Sequence, residues 1–543
     1  MTEGTRQPSD LLGEFATPVN ELIARLERDD IVARVWAADH TVWREDPTEI
    51  VDRLGWLRVI KEMAGQVANL TAFANEIKSS FFNHIVLLGM GGSSLGPEVV
   101  REVMGSAGGY PELTVLDSTA PSTLRSLTRA IDPARTLFIV SSKSGGTIEP
   151  NSFYKYFRKL VADMVGEPEA GSHFIAITDP GTSLENLADD QGFRRVFLNP
   201  TDMGGRYSVL SFFGLVPAAL IGVDIGRLLA RAEGIAAKSP GPISLDGDSG
   251  AWLGAYIAAA AKEGREKLTL IASARVASFG LWAEQLLAES TGKQGTGIVP
   301  IVGEPLLEAE AYGDDRAFVF LRVEGDDNAQ ADVATERLAA AGHPVVRLDI
   351  ADAYDIGGEF FRWELATAVA GALLDIHPFD QPDVQAAKDS SGRVLATFLD
   401  EGHLPDPAPA GDLQDLLASA MPGDYLAIMA YAEPSEGLDS AAGLLRKLVA
   451  ERYKIATSMA YGPRFLHSTG QLHKGGPNTG LYLQFTVDDE DLEIPGETYG
   501  FGTLIAAQAM GDYQALLDKK RRLVRVHLGD DAEAGILRLL GGI

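Results

Sequence analysis

Four short segments of the chain carry residue types that can hold a phosphate and move a proton. Residues 89–96 read GMGGSSLG and residues 141–147 read SSKSGGT, so both combine glycines with hydroxyl or ammonium donors. Residues 204–208 read GGRYS and offer a guanidinium that stays charged, and residues 289–293 read ESTGK and begin with a carboxylate. Together the four segments predict an enzyme that acts on a phosphorylated sugar.

The two donor-rich segments each follow an apolar run that predicts a β-strand. These runs, residues 85–88 and 136–140, end in glycines and serines, and helical patterns come next. In such strand–turn–helix units, glycines let backbone N–H groups approach an anion, and the helix N-terminus adds partial positive charge. Ser93, Ser94 and Lys143 add side-chain donors. The alternative for either segment alone is a tight or solvated turn without a ligand.

The remainder of the chain predicts an α/β architecture in several units. Helical patterns fill residues 1–80. Apolar strands alternating with helices predict parallel sheets in residues 81–240 and 250–404 and in a smaller C-terminal unit, residues 413–543. Stretches rich in Gly, Pro, Ser and Asp at residues 238–250 and 405–412 predict linkers.

The composition excludes several classes of protein. The 543 residues carry a net charge of −29, which argues against nucleic acid or an anionic membrane as a partner. The chain has no cysteine, so disulfides and thiolate chemistry are excluded, and no His/Asp cluster in the sequence argues for a metal. There is no uncharged apolar run of about 18 residues and no signal-peptide pattern at the N-terminus. We therefore expect a cytoplasmic protein.

The two donor-rich segments resemble the phosphate loops of sugar isomerase (SIS) domains, and specifically those of the phosphoglucose isomerase family. The segments at residues 204–208 and 289–293 are similar to that family's two signature segments, and residues 379–388, which read FDQPDVQAAK, resemble its C-terminal motif. The five matches occur in the family's order and cover about residues 50–400. The resemblance implies two SIS-type parallel-sheet α/β sandwich domains plus the smaller C-terminal α/β unit.

The resemblance also implies a role for individual residues. Glu289 corresponds to the base that moves a proton between C2 and C1, Arg206 to the cation that stabilises the enediolate, and Lys388 to the lysine at the ring oxygen. Taken without the motifs, these residues would be a surface glutamate, a structural ion pair and an exposed helical lysine. The implied substrate-binding residues are Gly91, Gly92, Ser93, Ser94, Ser142, Lys143, Ser144, Thr147 and Gln381.

One expected group is missing from its usual place. Phosphoglucose isomerases usually carry a histidine shortly after a Gly-Glu-Pro, but residues 303–312 of this chain read GEPLLEAEAY. Residues 467–478, which read HSTGQLHKGGPN, contain two of the chain's nine histidines. Histidine titrates near neutral pH and suits ring opening, so we assign this role to His473 ahead of His467; the alternative is a surface turn. The C-terminal segment resembles the isomerase half of fused transaldolase/phosphoglucose isomerase proteins.

The implied activity is the interconversion of glucose 6-phosphate and fructose 6-phosphate through a cis-enediol, a step of glycolysis and gluconeogenesis, without a metal or organic cofactor. A hexose phosphate is then the substrate, and a homodimer is the implied assembly. Two alternatives remain: an isomerase of another phosphosugar such as mannose 6-phosphate, and a non-catalytic SIS-type sensor. The presence of Glu289, Arg206 and Lys388 together argues against the sensor, which needs no base.

Overall fold

Three parallel β-sheets with surrounding helices make up the chain. The computed structural model describes residues 7–239, 241, 243–244, 247, 249–405 and 411–542. The first sheet has the strand order β2-β1-β3-β4-β5, the second β7-β6-β8-β9 and the third β11-β10-β12-β13, and every pairing within them is parallel. The predicted α/β fold class is therefore confirmed.

The first sheet follows a group of N-terminal helices. In chain order these elements are α1 (Ala16–Arg28), α2 (Ile31–Trp36), α3 (Trp56–Ala64), α4 (Val67–Lys78), β1 (His84–Gly89), α5 (Leu95–Met104), β2 (Glu112–Leu116), α6 (Pro121–Ala130), β3 (Thr136–Ser141), α7 (Ile148–Val165), α8 (Glu167–Ala170), β4 (Phe174–Thr178), α9 (Ser183–Asp190), β5 (Arg195–Leu198), α10 (Phe212–Leu220) and α11 (Ile225–Ala236).

The second and third sheets follow with their own helices. These elements are α12 (Gly250–Lys262), β6 (Lys267–Ala272), α13 (Phe279–Thr291), β7 (Val299–Val302), β8 (Arg316–Val323), α14 (Ala329–Ala340), β9 (Val345–Ile350), α15 (Ile356–Leu373), α16 (Pro382–Glu401), α17 (Leu413–Ala418), β10 (Tyr425–Tyr431), α18 (Glu436–Tyr453), β11 (Ala456–Tyr461), α19 (Gly470–Gly475), β12 (Gly480–Thr486), α20 (Phe501–Asp518), β13 (Arg522–His527) and α21 (Ala532–Leu540).

All three sheets begin with the same winding, in which the first strand of the sheet lies between the second and the third. In sheets of this kind the crossover connections leave in opposite directions from the central pair of strands. A crevice opens there, beyond the carboxyl ends of the strands, and ligands collect in it. In the first sheet these central strands are β1 and β3, and each runs directly into one of the two donor-rich loops.

The core is continuous between the first two sheets. Every residue of α15 is buried, and this helix packs against α11 and α12. One hydrophobic cluster joins side chains of β1, α10, α12, α13 and α15. Every residue of β3 is also buried, as expected for a central strand covered on both faces. The sheet edges that carry the loops are thus fixed relative to one another by shared packing.

Three local predictions differ from the structure. The apolar pattern at residues 47–67 becomes helical only at Trp56, because Gly55 N–H donates to the carbonyl of Asp202 and ties the preceding turns to a neighbouring loop. The pattern at residues 210–225 forms only helix α10, which ends at Leu220; the chain then turns at Gly222, where φ is +82°, and α11 begins at Ile225. Strand β7 has no counterpart among the predicted strands; it contains Pro300, which only an edge strand tolerates well.

Other predictions fall wholly or partly outside the described residues. Parts of both predicted linkers, residues 238–250 and 405–412, lie there, as does the N-terminal segment 1–6. Among the described residues, no helix is long and apolar enough to cross a membrane.

Candidate active site

A cavity of about 300 Å³ lies at the carboxyl ends of β1 and β3 and collects residues from all five sequence motifs. Its wall contains most of the residues predicted for the site: Gly91, Gly92, Ser93, Ser142, Lys143, Ser144, Thr147, Arg206, Glu289, Gln381 and Lys388. Of the described residues in that prediction, Ser94 and His473 lie outside the cavity wall. Segments distant in sequence therefore converge on one site.

The first donor loop is shaped by two glycines that bring backbones into close contact. Gly91 has φ of +55°, which favours glycine, and a Cβ there would lie 2.9 Å from the carbonyl oxygen of His467. A Cβ on Gly92 would lie 2.0 Å from the carbonyl oxygen of Gly205, so no side chain fits between these two loops. The loop before Arg206 is thereby pressed against the phosphate-type loop.

Ser93 and Ser94 face different surroundings although they are adjacent in sequence. Ser93 lines the cavity. Ser94 is fully buried, and its hydroxyl donates to the carbonyl of Gly91 at 3.2 Å and to the carboxylate of Asp117 at 3.3 Å. The structure therefore places Ser94 where it holds the turn and outside the lining of this cavity.

The second donor loop carries its hydroxyls on the cavity side. The hydroxyl of Ser142 donates to that of Thr147 across the loop at 3.2 Å. The ammonium of Lys143 donates to the carboxylate of Asp179 at 2.6 Å, so this predicted phosphate ligand is already in an ion pair. Burial raises the pKa of Asp179, and the Lys143 ammonium opposes that rise. One N–H of the ammonium is engaged by Asp179, which leaves N–H groups to share with an anion.

Arg206 joins the first unit to the second through all of its N–H groups. Its Nε donates to the Ser290 hydroxyl at 2.8 Å, and one Nη donates to the carbonyls of Pro378 and Asp380 at 2.8 and 2.9 Å. The other Nη donates to Gln381 Oε1 at 2.9 Å and lies 3.2 Å from the Glu289 carboxylate. The guanidinium is buried and rigidly held, which suits a fixed positive charge next to a reacting atom.

Glu289 is held by donors on both carboxylate oxygens. It lies on α13, with Arg206 on Oε1 at 3.2 Å and the side-chain amide of Gln285, one turn earlier, on Oε2 at 3.1 Å. The same amide nitrogen donates to the carbonyl of His467 at 2.8 Å. A carboxylate at the cavity wall with both oxygens oriented is a candidate general base.

Lys293, in the same motif as Glu289, supports the loop that carries Gln381. Its ammonium donates to the carbonyls of His377 and Asp380 at 2.6 Å and pairs with the Asp380 carboxylate. Burial and the nearby Arg206 charge lower the pKa of Lys293 to about 7, against the opposing effect of Asp380. Arg206 and Lys293 thus hold the same loop through a shared carbonyl, that of Asp380.

Lys388 lies on α16 with an exposed side chain that reaches the cavity wall. Together with Thr147, Val384 and His467 it also lines an adjoining cavity of about 250 Å³. Lys388 and His467 therefore share the boundary between the two cavities.

The two histidines of the C-terminal segment take opposite positions. His467 lines the cavity, in a 3-10 turn at residues 464–467. His473 lies on α19, fully inside the C-terminal unit, between the rings of Phe465 and Tyr482 at 5.9 and 5.1 Å. Burial, followed by the charges of Lys474 and Arg521, lowers the pKa of His473 well below its usual value. The structure thus brings His467, and not His473, to the site.

His467 is oriented by a buried carboxylate that was not predicted. Its Nε2 lies 3.1 Å from Glu149 Oε1, and that oxygen also accepts from the Gln508 amide at 2.7 Å. Burial would raise the pKa of Glu149, but attraction to His467 and their hydrogen bond outweigh it and lower the pKa. Because an ionised carboxylate only accepts hydrogen bonds, Nε2 of His467 is the nitrogen that carries the proton.

Three further residues of the site were not predicted. Gln285 precedes Glu289 by one helical turn, so helical spacing could have indicated it. Glu149 lies in the first turn of α7, two residues after Thr147, and that spacing does not mark it. Arg53 lines the cavity from the N-terminal helical segment, and no motif marks it. In the described part of the chain, no group of three or more His, Asp or Glu side chains is arranged to hold a metal ion.

Residues 37–238 match the phosphoglucose isomerase family model. The chain is 27% identical over 392 residues to a glucose-6-phosphate isomerase of Parabacteroides distasonis, an alignment that covers 63% of this chain and 87% of that protein. It is 28% identical over 413 residues to a glucose-6-phosphate isomerase of Rubrobacter xylanophilus, with 67% and 92% covered.

Solved structures show the same fold. A hypothetical protein from Thermus thermophilus superposes with a TM-score of 0.61 at 26% identity and covers 72% of this chain and 99% of its own. A glucose-6-phosphate isomerase from Chlamydia trachomatis superposes with a TM-score of 0.60 at 19% identity, over 70% and 86% of the two chains. The family match over residues 37–238, the curated relatives and the convergence of five motifs on one cavity agree, and in all three respects the chain is similar to the phosphoglucose isomerases.

Proposed function

We propose that this protein interconverts glucose 6-phosphate and fructose 6-phosphate by acid–base catalysis. The observation that carries the proposal is the pair formed by Glu289 and Arg206, 3.2 Å apart on the wall of a cavity that also holds two phosphate-type loops. A base beside a fixed cation is what proton transfer next to a carbonyl requires.

The phosphate is assigned to the two donor loops. Ser142 and Thr147 present hydroxyls on the cavity side, Ser93 adds a third, and α7 begins directly after Thr147 and contributes its N-terminal partial charge. Lys143 supplies a full charge while it remains paired with Asp179. The cavity wall carries four cationic side chains, those of Arg53, Lys143, Arg206 and Lys388, against the single carboxylate of Glu289. This local excess of positive charge suits a dianion in a protein with a net charge of −29.

Ring opening is assigned to His467 with Lys388. The sugar ring opens when the ring oxygen gains a proton and the C1 hydroxyl loses one, which leaves an open-chain aldehyde. His467, with Nε2 held by Glu149, is placed to give or accept that proton, and Lys388 provides a positive charge beside the ring oxygen. This assignment replaces His473, whose ring is enclosed by Phe465 and Tyr482.

Isomerisation is assigned to Glu289 and Arg206. Glu289 removes the proton from C2, the electron pair forms the C1–C2 double bond, and negative charge develops on the carbonyl oxygen to give the cis-enediolate. Arg206 stabilises that charge. The C2 hydroxyl proton then passes to the C1 oxygen, C2–O2 becomes the carbonyl, and the C1–C2 electron pair takes the proton that Glu289 returns to C1. Gln381, which accepts from Arg206 at 2.9 Å, lines the sugar side of the cavity.

The family resemblance is the basis for the proposed assembly, and the sequence is the basis for the proposed location. We expect a homodimer in the cytoplasm, with a hexose phosphate as the substrate.

The test is a coupled assay of fructose 6-phosphate isomerisation with wild type and Glu289→Gln. Loss of the base lowers kcat by about 10²–10⁴-fold with a much smaller change in KM. Glu284→Gln is the matched control, because Glu284 lies on the same helix but lines a different cavity. Equal rates for Glu289→Gln and wild type would remove Glu289 from the mechanism. Wild-type turnover of mannose 6-phosphate alone would indicate a different isomerase, and binding without turnover of any hexose phosphate would indicate a sensor.

A further inference from the structure

A second large cavity, of about 580 Å³, lies where the three units of the chain meet. Its wall includes α5 of the first unit, α13 and the end of β7 of the second, and α18 and the end of β11 of the C-terminal unit. Cavities between units, at the carboxyl ends of parallel strands, are preferred ligand sites. Its lining is separate from that of the proposed active site.

The first sign of a ligand is Glu284 on the cavity wall. This residue is only 6% exposed, yet within the described part of the chain no donor or cation lies within bonding distance of its carboxylate. Burial raises the pKa of Glu284 to about 8, against the opposing charges of Arg446 and Arg464. A buried carboxyl without a partner is costly unless a partner is supplied.

A second unpartnered group lies on the same wall. Ser468 is 4% exposed, and its hydroxyl has no hydrogen-bond partner among the described residues. It follows His467 in sequence, but it lines this cavity and not the proposed active site. Two buried polar groups on one wall thus lack partners.

An anion-binding group lies in the same cavity. Arg464 donates Nε and Nη2 to the two oxygens of Asp117, each at 2.8 Å, while its Nη1 makes no hydrogen bond within the described residues. Arg446 is different, because its Nε, Nη1 and Nη2 already donate to Val302, Gly303 and Thr457. The unused N–H groups on this wall therefore belong mainly to Arg464.

The balance of charge argues against a strongly anionic ligand. The wall carries four carboxyl side chains, those of Glu98, Glu102, Glu284 and Asp439, against the two arginines. A sugar phosphate dianion would meet net repulsion there. The remaining wall is largely apolar, with Leu95, Leu281, Val302, Met459 and Phe465.

We propose that this cavity binds a small zwitterion with an apolar body, such as an apolar α-amino acid. Its ammonium group bonds the Glu284 carboxylate and the Ser468 hydroxyl, its carboxylate accepts from Nη1 of Arg464, and its side chain packs on Leu281 and Phe465. The ligand satisfies each of the unpartnered groups and adds no net charge to an acidic wall. The proposal is independent of the reaction assigned to Glu289.

Isothermal titration calorimetry of the full chain tests the proposal without any use of turnover. L-Phenylalanine is the probe, and phenethylamine and 3-phenylpropanoate each keep one of its charged ends. L-Phenylalanine is expected to bind at least about tenfold more tightly than either analogue, since each lost charge-assisted hydrogen bond costs that much. The proposal is overturned if neither L-phenylalanine nor L-leucine binds at concentrations up to about 10 mM. It is also overturned if phenethylamine binds as tightly as L-phenylalanine.

Two variants locate the site. Glu284→Gln weakens the binding of L-phenylalanine about tenfold but leaves that of 3-phenylpropanoate unchanged. Leu281→Trp places a larger side chain in the apolar part of the cavity and abolishes binding of both L-phenylalanine and 3-phenylpropanoate. Retained isomerase activity and an unchanged unfolding midpoint show that each variant is folded.

Proton release gives a further test. Because the ammonium of the ligand favours the ionised form of Glu284, binding to wild type releases a proton, and the measured heat of binding depends on the ionisation enthalpy of the buffer. This dependence is lost in Glu284→Gln. Unchanged affinity in both variants would place any binding elsewhere and overturn the proposal.

Discussion

Two histidines of one segment have opposite surroundings, and comparing them distinguishes a histidine placed to react from one that only packs in the core. His467 lies on the cavity wall beside a buried carboxylate and beside Gln285, which also bonds Glu289. His473 lies between two aromatic rings, and its Nδ1 has no hydrogen-bond partner among the described residues. A histidine that reacts needs an accessible ring and a partner that fixes which nitrogen carries the proton, and only His467 has both.

The largest difference in activity is expected between the variants in which each of the two histidines is replaced by glutamine. His467→Gln removes the group proposed to open the ring, and we expect it to lower kcat/KM for glucose 6-phosphate on the order of 10²–10⁴-fold. His473→Gln leaves kcat/KM unchanged and lowers only the unfolding midpoint. Steady-state kinetics and thermal unfolding of both variants provide the measurement. If His473→Gln lost activity while remaining folded, the assignment of the two residues would be reversed.

A smaller effect is expected at the carboxylate that orients His467. Glu149→Gln keeps the shape of the side chain but removes the charge that holds Nε2–H, which costs one charge-assisted hydrogen bond, or about 10–100-fold in kcat/KM. Gln508→Ala, which removes the other donor to Glu149, is the comparison and is expected to cost less. The pair His467→Gln and Glu149→Gln provides a double-mutant cycle. Additive losses in that cycle would show that the two residues act independently.

The smallest effect concerns stability and pH at His473. Below about pH 6.5 the unfolded chain protonates this histidine, while the folded chain, with its lowered pKa, does not. The unfolded state then binds more protons than the folded state. His473 therefore lowers the free energy of unfolding by up to about 1.4 kcal/mol for each pH unit below 6.5, until the pH reaches the pKa of His473 in the folded state. His473→Leu removes this contribution, which denaturant unfolding at about pH 6.5 and 5.5 measures. An identical pH slope in the variant and wild type would contradict the buried neutral state.

The motifs could predict the residues whose roles depend on local chain geometry. Strand–glycine–helix patterns located the two loops, and the order of the five segments located Arg206, Glu289 and Lys388, all of which reach the cavity. The contacts of the other site residues depend on packing between segments far apart in the sequence. Lys143 meets Asp179 because β3 and β4 are neighbours, and Ser94 turns toward Asp117 where α5 begins.

The choice between the two histidines could not be made from the sequence for the same reason. The segment forms a 3-10 turn and then the short helix α19, and a buried ion pair between Lys474 and Asp512 fixes that helix against α20. This pairing joins residues far apart in the chain and sets which ring faces inward. Similarly, the strand β7 is short and contains a proline, so its place as an edge strand depends on pairing with β6.

The hydrophobic cluster between the second and third sheets limits where the protein can be divided. Ala288, Val299 and Ile301 of the second unit pack in one cluster with C-terminal side chains that include Tyr425 and Leu472. A chain that stopped before the third sheet would lose His467 and would also present this apolar face, directly behind the helix that carries Glu289, to water. For protein engineering, we therefore expect that the C-terminal unit cannot be removed without loss of both stability and the proposed active site.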